Sequence, residues 1–152
     1  MTANIHASCV AFRGKGVLLL GASGAGKSAL ALQLVEDGAR LVADDRCDLS
    51  ARGGKLYAAA PASIAGLIEL YGIGIVAMPY AKSARVAMAV RLGPNRQRLP
   101  APAFYEPPAQ LNGLRPVPLI VVDARHAAAG ARIRAALAAF GRNGFRDTFN
   151  LE

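Results

Sequence analysis

Eight consecutive residues, Gly21-Ala22-Ser23-Gly24-Ala25-Gly26-Lys27-Ser28, fit G-x-x-x-x-G-K-[ST], the pattern of a phosphate-binding loop. Gly21, Gly24 and Gly26 admit backbone angles that a side chain opposes. Successive N–H groups through Ala29 can then converge on phosphate oxygens. A helix starting near Gly26 adds the positive end of its dipole. In such a loop the lysine, here Lys27, reaches the β and γ phosphates, and the serine, here Ser28, offers its hydroxyl to Mg²⁺. The competing reading is a Gly-rich turn before an ordinary helix, in a chain with sixteen glycines. The full match between the apolar run Gly16–Gly21 and the helix-like run Ala29–Glu36 favours a nucleotide or polyphosphate site.

A second constellation is acidic. Asp44 and Asp45 end the apolar stretch Arg40–Ala43, where an α/β sheet binds its ligands, outside the carboxyl ends of the strands. One carboxylate there can hold Mg²⁺ and the other can take a proton from an attacking hydroxyl. A cap or a solvated turn is the alternative, since Asp is common in both. His6, before the first expected strand, is able to tune a nearby carboxylate or to be a surface residue near the chain end. Glu69 sits in the Gly-punctuated apolar run Gly66–Ile75, where a lone charge needs a partner or an ion. Asp123 resembles a second metal-supporting Asp in position, and a cap for a helix beginning near Ala127 is the favoured reading.

The elements that must position these groups follow from periodicity and breakers. Strands are expected at Cys9–Phe12 and Val17–Leu20, around the turn Arg13–Gly16. A helix over Lys27–Asp37 ends at Gly38, and Arg40–Ala43 is a short strand. Cys47–Ser50 and Lys55–Ala59 read as a hairpin, Pro61–Leu67 as a helical turn, and Ile73–Met78 and Arg85–Leu92 as strands. Gly93–Gly113 reads as loop, of a length that usually binds or moves. Val117–Val122 is a buried strand and Ala127–Phe140 a helix with Ile133, Leu137 and Phe140 inward. A core over about 5–140 in one domain spanning 1–152 is expected, with a weak tail over 141–152 in which Leu151-Glu152 reads as a cloning remnant.

Composition narrows the function. The chain has 152 residues, 53% of them apolar, which suits one folded domain and excludes disorder. No run is long enough to cross a bilayer as a helix, and the start lacks a secretory pattern. Cys9 and Cys47 have no metal-site spacing and read as buried thiols, so a cytoplasmic setting fits. The formal charge is +8, which favours anionic partners. The basic residues are scattered and not interleaved with aromatics, which argues against nucleic acid.

Three blocks together resemble the catalytic domain of the HPr kinase/phosphorylase family, over roughly residues 5–140: Ile5-His6-Ala7 leading to the loop, Gly38–Arg46 with Ala43-Asp44-Asp45-Arg46, and Ala62–Ile75 with Gly66-Leu67-Ile68-Glu69 and Gly72-Ile73-Gly74-Ile75. The likeness is to the short alphaproteobacterial form. It implies an α/β, phosphoenolpyruvate-carboxykinase-like P-loop kinase fold, a central mixed β-sheet with flanking helices. It implies an enzyme that phosphorylates a serine of an HPr-like phosphocarrier of the phosphotransferase system, using ATP or pyrophosphate and Mg²⁺, and reverses the reaction with phosphate. By resemblance Asp44 is the proton-transfer residue with His6 beside it, Asp45 is its acidic neighbour near the metal, and Ser28 and Glu69 are metal-linked. Tyr71 stands where the family has Arg, and Arg85 is the candidate for the family's late Arg. A homo-oligomer is expected, with the hexamer left open, and neither nucleic acid nor membrane as partner. A different P-loop small-molecule kinase or nucleotidase, or a nucleotide-binding regulatory protein with little turnover, are the alternatives.

Overall fold

A computed structural model of the chain describes residues 1–142 together with Gly144 and Phe145. The tail expected over 141–152, including Leu151-Glu152, lies outside the described residues apart from Gly141, Arg142, Gly144 and Phe145.

Alternation of period two builds the sheet. The chain opens with β1 (Thr2–Ile5), β2 (Ala7–Phe12) and β3 (Lys15–Leu20), followed by α1 (Lys27–Glu36) and β4 (Arg40–Ala43). Next come β5 (Cys47–Arg52), β6 (Lys55–Ala59), one 3₁₀ turn at Ala62–Ile64, β7 (Leu67–Leu70) and β8 (Gly74–Ala77). The last elements are β9 (Ala84–Leu92), β10 (Ala103–Phe104), β11 (Pro118–Val122) and α2 (Ala129–Gly141). The strands β1, β7 and β10 were not anticipated. α2 starts two residues later than Ala127, because the turn at Asp123–His126 takes up the intervening chain.

The large sheet is mixed, with the path β1-β5-β6-β9-β3-β2-β4. β9 runs parallel to β3 and β11 and antiparallel to β6. One edge of β9 is shared: β6 takes Ala84 and Arg85, and β11 takes Ala89 to Leu92. The sheet therefore forks along a single strand. β7 and β8 form a separate two-stranded ribbon.

Alternate residues of β2, β3 and β9 feed two cores. Val10, Val17, Leu19, Met88 and Val90 pack with Leu30, Ala31 and Leu34 of α1 and with Ile133 and Leu137 of α2. Cys9, Leu18 and Ala89 pack on the other side with Leu49, Leu56, Leu111 and Val117. Both helices thus share one face, and the curling sheet with the segment through Leu111 closes the other. Phe140 is only partly buried against the helix-side core. α1 ends in paired bonds from Gly38 N–H to Val35 O (3.0 Å) and Ala39 N–H to Leu34 O (2.9 Å), the Schellman pattern. That closure aims the chain into β4 and fixes where Asp44 and Asp45 emerge. Both cysteines are free and buried, as expected. Burial pushes the Cys47 thiol up to about 12 and raises Cys9 as well.

Candidate active site at the phosphate loop

The loop leaves the carboxyl end of β3 and enters the first turn of α1. Gly26 caps α1 at φ 96° and Gly24 sits at φ 83°, both in the left-handed region that glycine occupies without steric cost. At Gly26 a Cβ would also stand 3.3 Å from the Cβ of Ala124, so the turn after β11 abuts the loop. Lys27 folds back over the loop, with Nζ donating to Gly21 O at 2.7 Å and Ala22 O at 3.0 Å. It is 6% exposed. A buried cation at the positive end of a helix is electrostatically uphill, and an anion seated on the loop relieves it.

Asp44 is held from three elements. Ser28 Oγ of α1 donates to its Oδ1 at 2.6 Å and Ser8 Oγ of β2 at 2.9 Å, while the Glu69 N–H of β7 donates to Oδ2 at 3.1 Å. The carboxylate is buried, and its bonds are made within the protein. Asp45 behaves differently. It turns into the left-handed region at φ 67°, which Asp tolerates better than most residues. The turn is braced by Arg46 N–H to Asp44 O at 2.8 Å and Ala7 N–H to Asp45 O at 3.0 Å. The Asp45 side chain is 63% exposed and lies 2.6 Å from His6 Nε2.

His6 therefore sits beside Asp45, not beside Asp44 as the resemblance implied. The cause is the reversal after β4. Asp44 keeps the inward direction set by the strand, and Asp45 swings toward the link between β1 and β2, where His6 lies.

The β7–β8 ribbon supplies the far wall. Ile68, 1% exposed, anchors it in the helix-side core. Glu69 keeps its side chain exposed while its N–H holds Asp44. Lys27, Ser28, Asp45, Glu69 and Tyr71 line one cleft with the loop glycines, about 560 Å³ in volume. Among the described residues no group of three or more His, Cys, Asp or Glu gathers for a metal ion. A Mg²⁺ that arrives with phosphates needs only one or two protein carboxylates, so the Ser28 hydroxyl with the Glu69 carboxylate fits that requirement, while Asp45 is paired with His6.

Two expected residues stand elsewhere. Arg85 pairs in register with Lys15 at the start of β3, the opposite end of the strand from the loop, so it does not reach this cleft. Asp123 Oδ1 accepts from Arg125 N–H at 3.0 Å and Nε at 3.4 Å. Its carboxyl is held below the usual range, first by that backbone bond. The N-cap of α2 is Ala128, without a side-chain cap, so Asp123 caps its own turn and not the helix. Ser8 went unremarked in the sequence. Its only signal is a hydroxyl inside the apolar strand Ala7–Phe12, which has to find a partner.

The cleft residues all fall within residues 1–88, the part of the chain matched by the family described as HPr Serine kinase C-terminal domain. The chain belongs to the HPr serine kinase C-terminal domain family. It is 46% identical over 76 residues to the HPr kinase/phosphorylase of Brevibacillus brevis, covering 49% of this chain and 24% of that protein. It is 52% identical over 73 residues to the one from Caldanaerobacter subterraneus, covering 47% of this chain and 24% of that protein. The chain thus spans about a quarter of the length of these curated relatives. The solved HPr(Ser) kinase/phosphatase from Coxiella burnetii superposes with a TM-score of 0.74 at 24% identity, covering 93% of this chain and 91% of that one. The family's α/β fold, a large mixed sheet with few helices, is the fold found here.

Proposed function

We propose that this chain is an ATP-dependent protein-serine kinase acting on an HPr-like phosphocarrier of the phosphotransferase system, with the reverse, phosphate-dependent reaction available at the same site. The observation that carries this reading is the His6–Asp45 pair at 2.6 Å, with Asp45 lining the same cleft as Lys27 and Ser28.

The loop N–H groups and Lys27 hold and orient the transferred phosphate, and positioning with charge stabilisation supplies most of phosphoryl-transfer catalysis. Asp45 is the proton-transfer residue. It is exposed, while Asp44 is buried and committed to three donors. As the acceptor serine oxygen bonds to the γ phosphorus, the bond to the β–γ bridging oxygen breaks and ADP leaves with its electron pair. The serine proton passes to an Asp45 carboxylate oxygen. In reverse, protonated Asp45 returns that proton to the serine oxygen as phosphate displaces it and pyrophosphate forms. His6 fixes the Asp45 carboxylate in place. Mg²⁺, held by Ser28 and Glu69 with the phosphate oxygens, would offset the charge developing on the leaving group. Asp44 positions Ser28 and Glu69 for that role. A cytoplasmic setting and assembly with copies of itself belong to the same reading.

The test is incubation of the chain with ATP, Mg²⁺ and a purified HPr-like protein, followed by mass measurement. One added phosphate on a serine supports the proposal. ATP consumption without protein modification selects a small-molecule kinase or nucleotidase instead, and binding without turnover selects a regulatory protein.

A further inference from the structure

Arg85 does not reach the phosphate loop, and it lines a different concavity at the opposite end of β3. This hollow, about 460 Å³, has Lys15, Lys55, Arg85 and Arg115 in its walls, with Leu137 and Phe140 on its apolar side. Separate strands bring the four cations together. Lys15 opens β3 and stands opposite Arg85 of β9 in register. Lys55 opens β6, and Arg115 is tied beside it by its N–H bond to Gly54 O at 2.8 Å. Like charges at directly opposed strand positions destabilise a sheet. Among the described residues no acidic side chain lines this hollow, and none of the four cations is in an ion pair. An anion seated between them turns that mutual repulsion into attraction.

We propose that this hollow binds a small organic anion, carrying carboxylate or phosphomonoester groups, at a site separate from the phosphate loop. Its volume lies in the range of small-molecule sites, roughly 300–1,000 Å³, and a concave site of that size suits a small molecule better than the flat face of a protein. The apolar side favours a ligand with a carbon skeleton over a bare inorganic ion. Arg85 and Arg115 supply planar forks that match carboxylate and phosphate oxygens in pairs. Strand pairing and the Arg115–Gly54 bond fix where these side chains start, which lowers the cost of ordering them around a ligand. One group opposes an anion here. The carbonyl end of α2 reaches the rim at Gly141 and carries about half a negative charge. Lys15 offsets it: a Cβ on Gly141 would stand 2.8 Å from Lys15 Nζ. Three further full charges remain for the ligand. The chain's net charge of +8 thus has a use beyond the phosphates of a nucleotide.

The test titrates citrate and glycerol 2-phosphate separately into the full chain by calorimetry, at low salt and without Mg²⁺. At least one is expected to bind, with an affinity that falls as NaCl is added, and the tighter of the two identifies the anionic group preferred. The double variant Arg85→Gln with Arg115→Gln is decisive, because both side chains are exposed and their loss should leave the fold intact. Its affinity for the bound probe is expected to fall by about tenfold or more, with ATP binding in Mg²⁺ held within about twofold. Lys27→Ala, at the loop, is expected to keep the probe affinity within about twofold. Lys55→Gln carries the same expectation as the double variant and decides the matter should that variant misfold. A parent chain that binds neither probe overturns the assignment. So does a folded double variant that binds as tightly as the parent, or a loss that appears in Lys27→Ala instead, which would seat the anion on the loop.

Discussion

His6 Nε2 and Asp45 Oδ1 stand 2.6 Å apart across 39 positions of sequence, while the adjacent Asp44 points away into bonds from Ser8, Ser28 and the Glu69 N–H. The two carboxylates therefore do different work, and replacing each in turn separates them. Asp45→Asn should lower phosphate transfer by about a hundredfold or more, the scale of a lost general base. Nucleotide affinity and melting temperature should hold, because the side chain is largely exposed. Asp44→Asn should instead destabilise the fold by about 2 kcal/mol, as expected when bonds to a buried charge are weakened, and should weaken Mg²⁺-dependent nucleotide binding. Transfer assays beside urea melts check both. Full transfer in Asp45→Asn would return the proton-transfer role to Asp44.

Lys27→Ala should cost about a hundredfold or more in transfer rate, typical of a key electrostatic group. The same change removes a cation from the positive end of α1, so the melting temperature of the ligand-free protein should not fall. A transfer rate within about threefold of the parent would sink the role given to Lys27.

Ser8 links the two aspartates, accepting from the Asp45 N–H at 3.1 Å and donating to Asp44 at 2.9 Å. Ser8→Ala leaves a backbone N–H and a buried carboxylate each short of a partner. The expected loss is about 1–3 kcal/mol of stability, read from the shift in denaturant midpoint, with transfer falling alongside. An unchanged midpoint would mean that water fills the gap.

Glu69 touches the site twice, by its N–H and by its carboxylate. Glu69→Gln keeps the first and neutralises the second. The Mg²⁺ concentration for half-maximal transfer should rise while the melting temperature stays. Identical Mg²⁺ titrations for variant and parent would leave Glu69 only its backbone contribution.

Cys47 contributes to the alkaline pH dependence of stability, beside Cys9 and Tyr105, whose acidities burial also lowers. Burial pushes the Cys47 thiol up to about 12 in the folded protein, against about 8.5 in an unfolded chain. The folded state therefore holds its proton longer, so the stabilising contribution is complete below the lower value and is lost as pH rises toward the upper one. Melting temperature should fall across that alkaline range, and less so in Cys47→Ala. The same burial should keep both thiols unreactive to alkylating reagents near neutral pH until the protein is unfolded, which intact-mass measurement detects.

Much of the site was legible because it is local. The loop is a contiguous pattern, and β4 (Arg40–Ala43) could be bounded by the Gly38 stop before it and the two aspartates after it. What depends on register or on the sign of a dihedral was not. The left-handed turn at Asp45 decides which aspartate meets His6, and residue type alone does not reveal it. Arg85 stays far from the loop because β3 and β9 pair parallel with Lys15 opposite Arg85, a register set between strands about seventy residues apart. The ribbon's first strand, Leu67–Leu70, hid inside a Gly-rich run because its partner β8 lies immediately after it, and only Ile68 is fully buried.

The fork along β9 has a consequence for how the chain comes to be folded. β3, which carries the phosphate loop, gains its parallel neighbour only when β9 has been made, and β9 is complete only with β6 on the first half of its other edge and β11 on the second. Pairings this distant in sequence form slowly. The loop's backbone is then expected to take shape late, in the same step that seats β11, and not with the hairpin of β2 and β3 that precedes it. Pulse-labelling hydrogen exchange during refolding should find the amides of β3, β9 and β11 gaining protection together. Early protection of β3 alone would mean that its hairpin with β2 is sufficient.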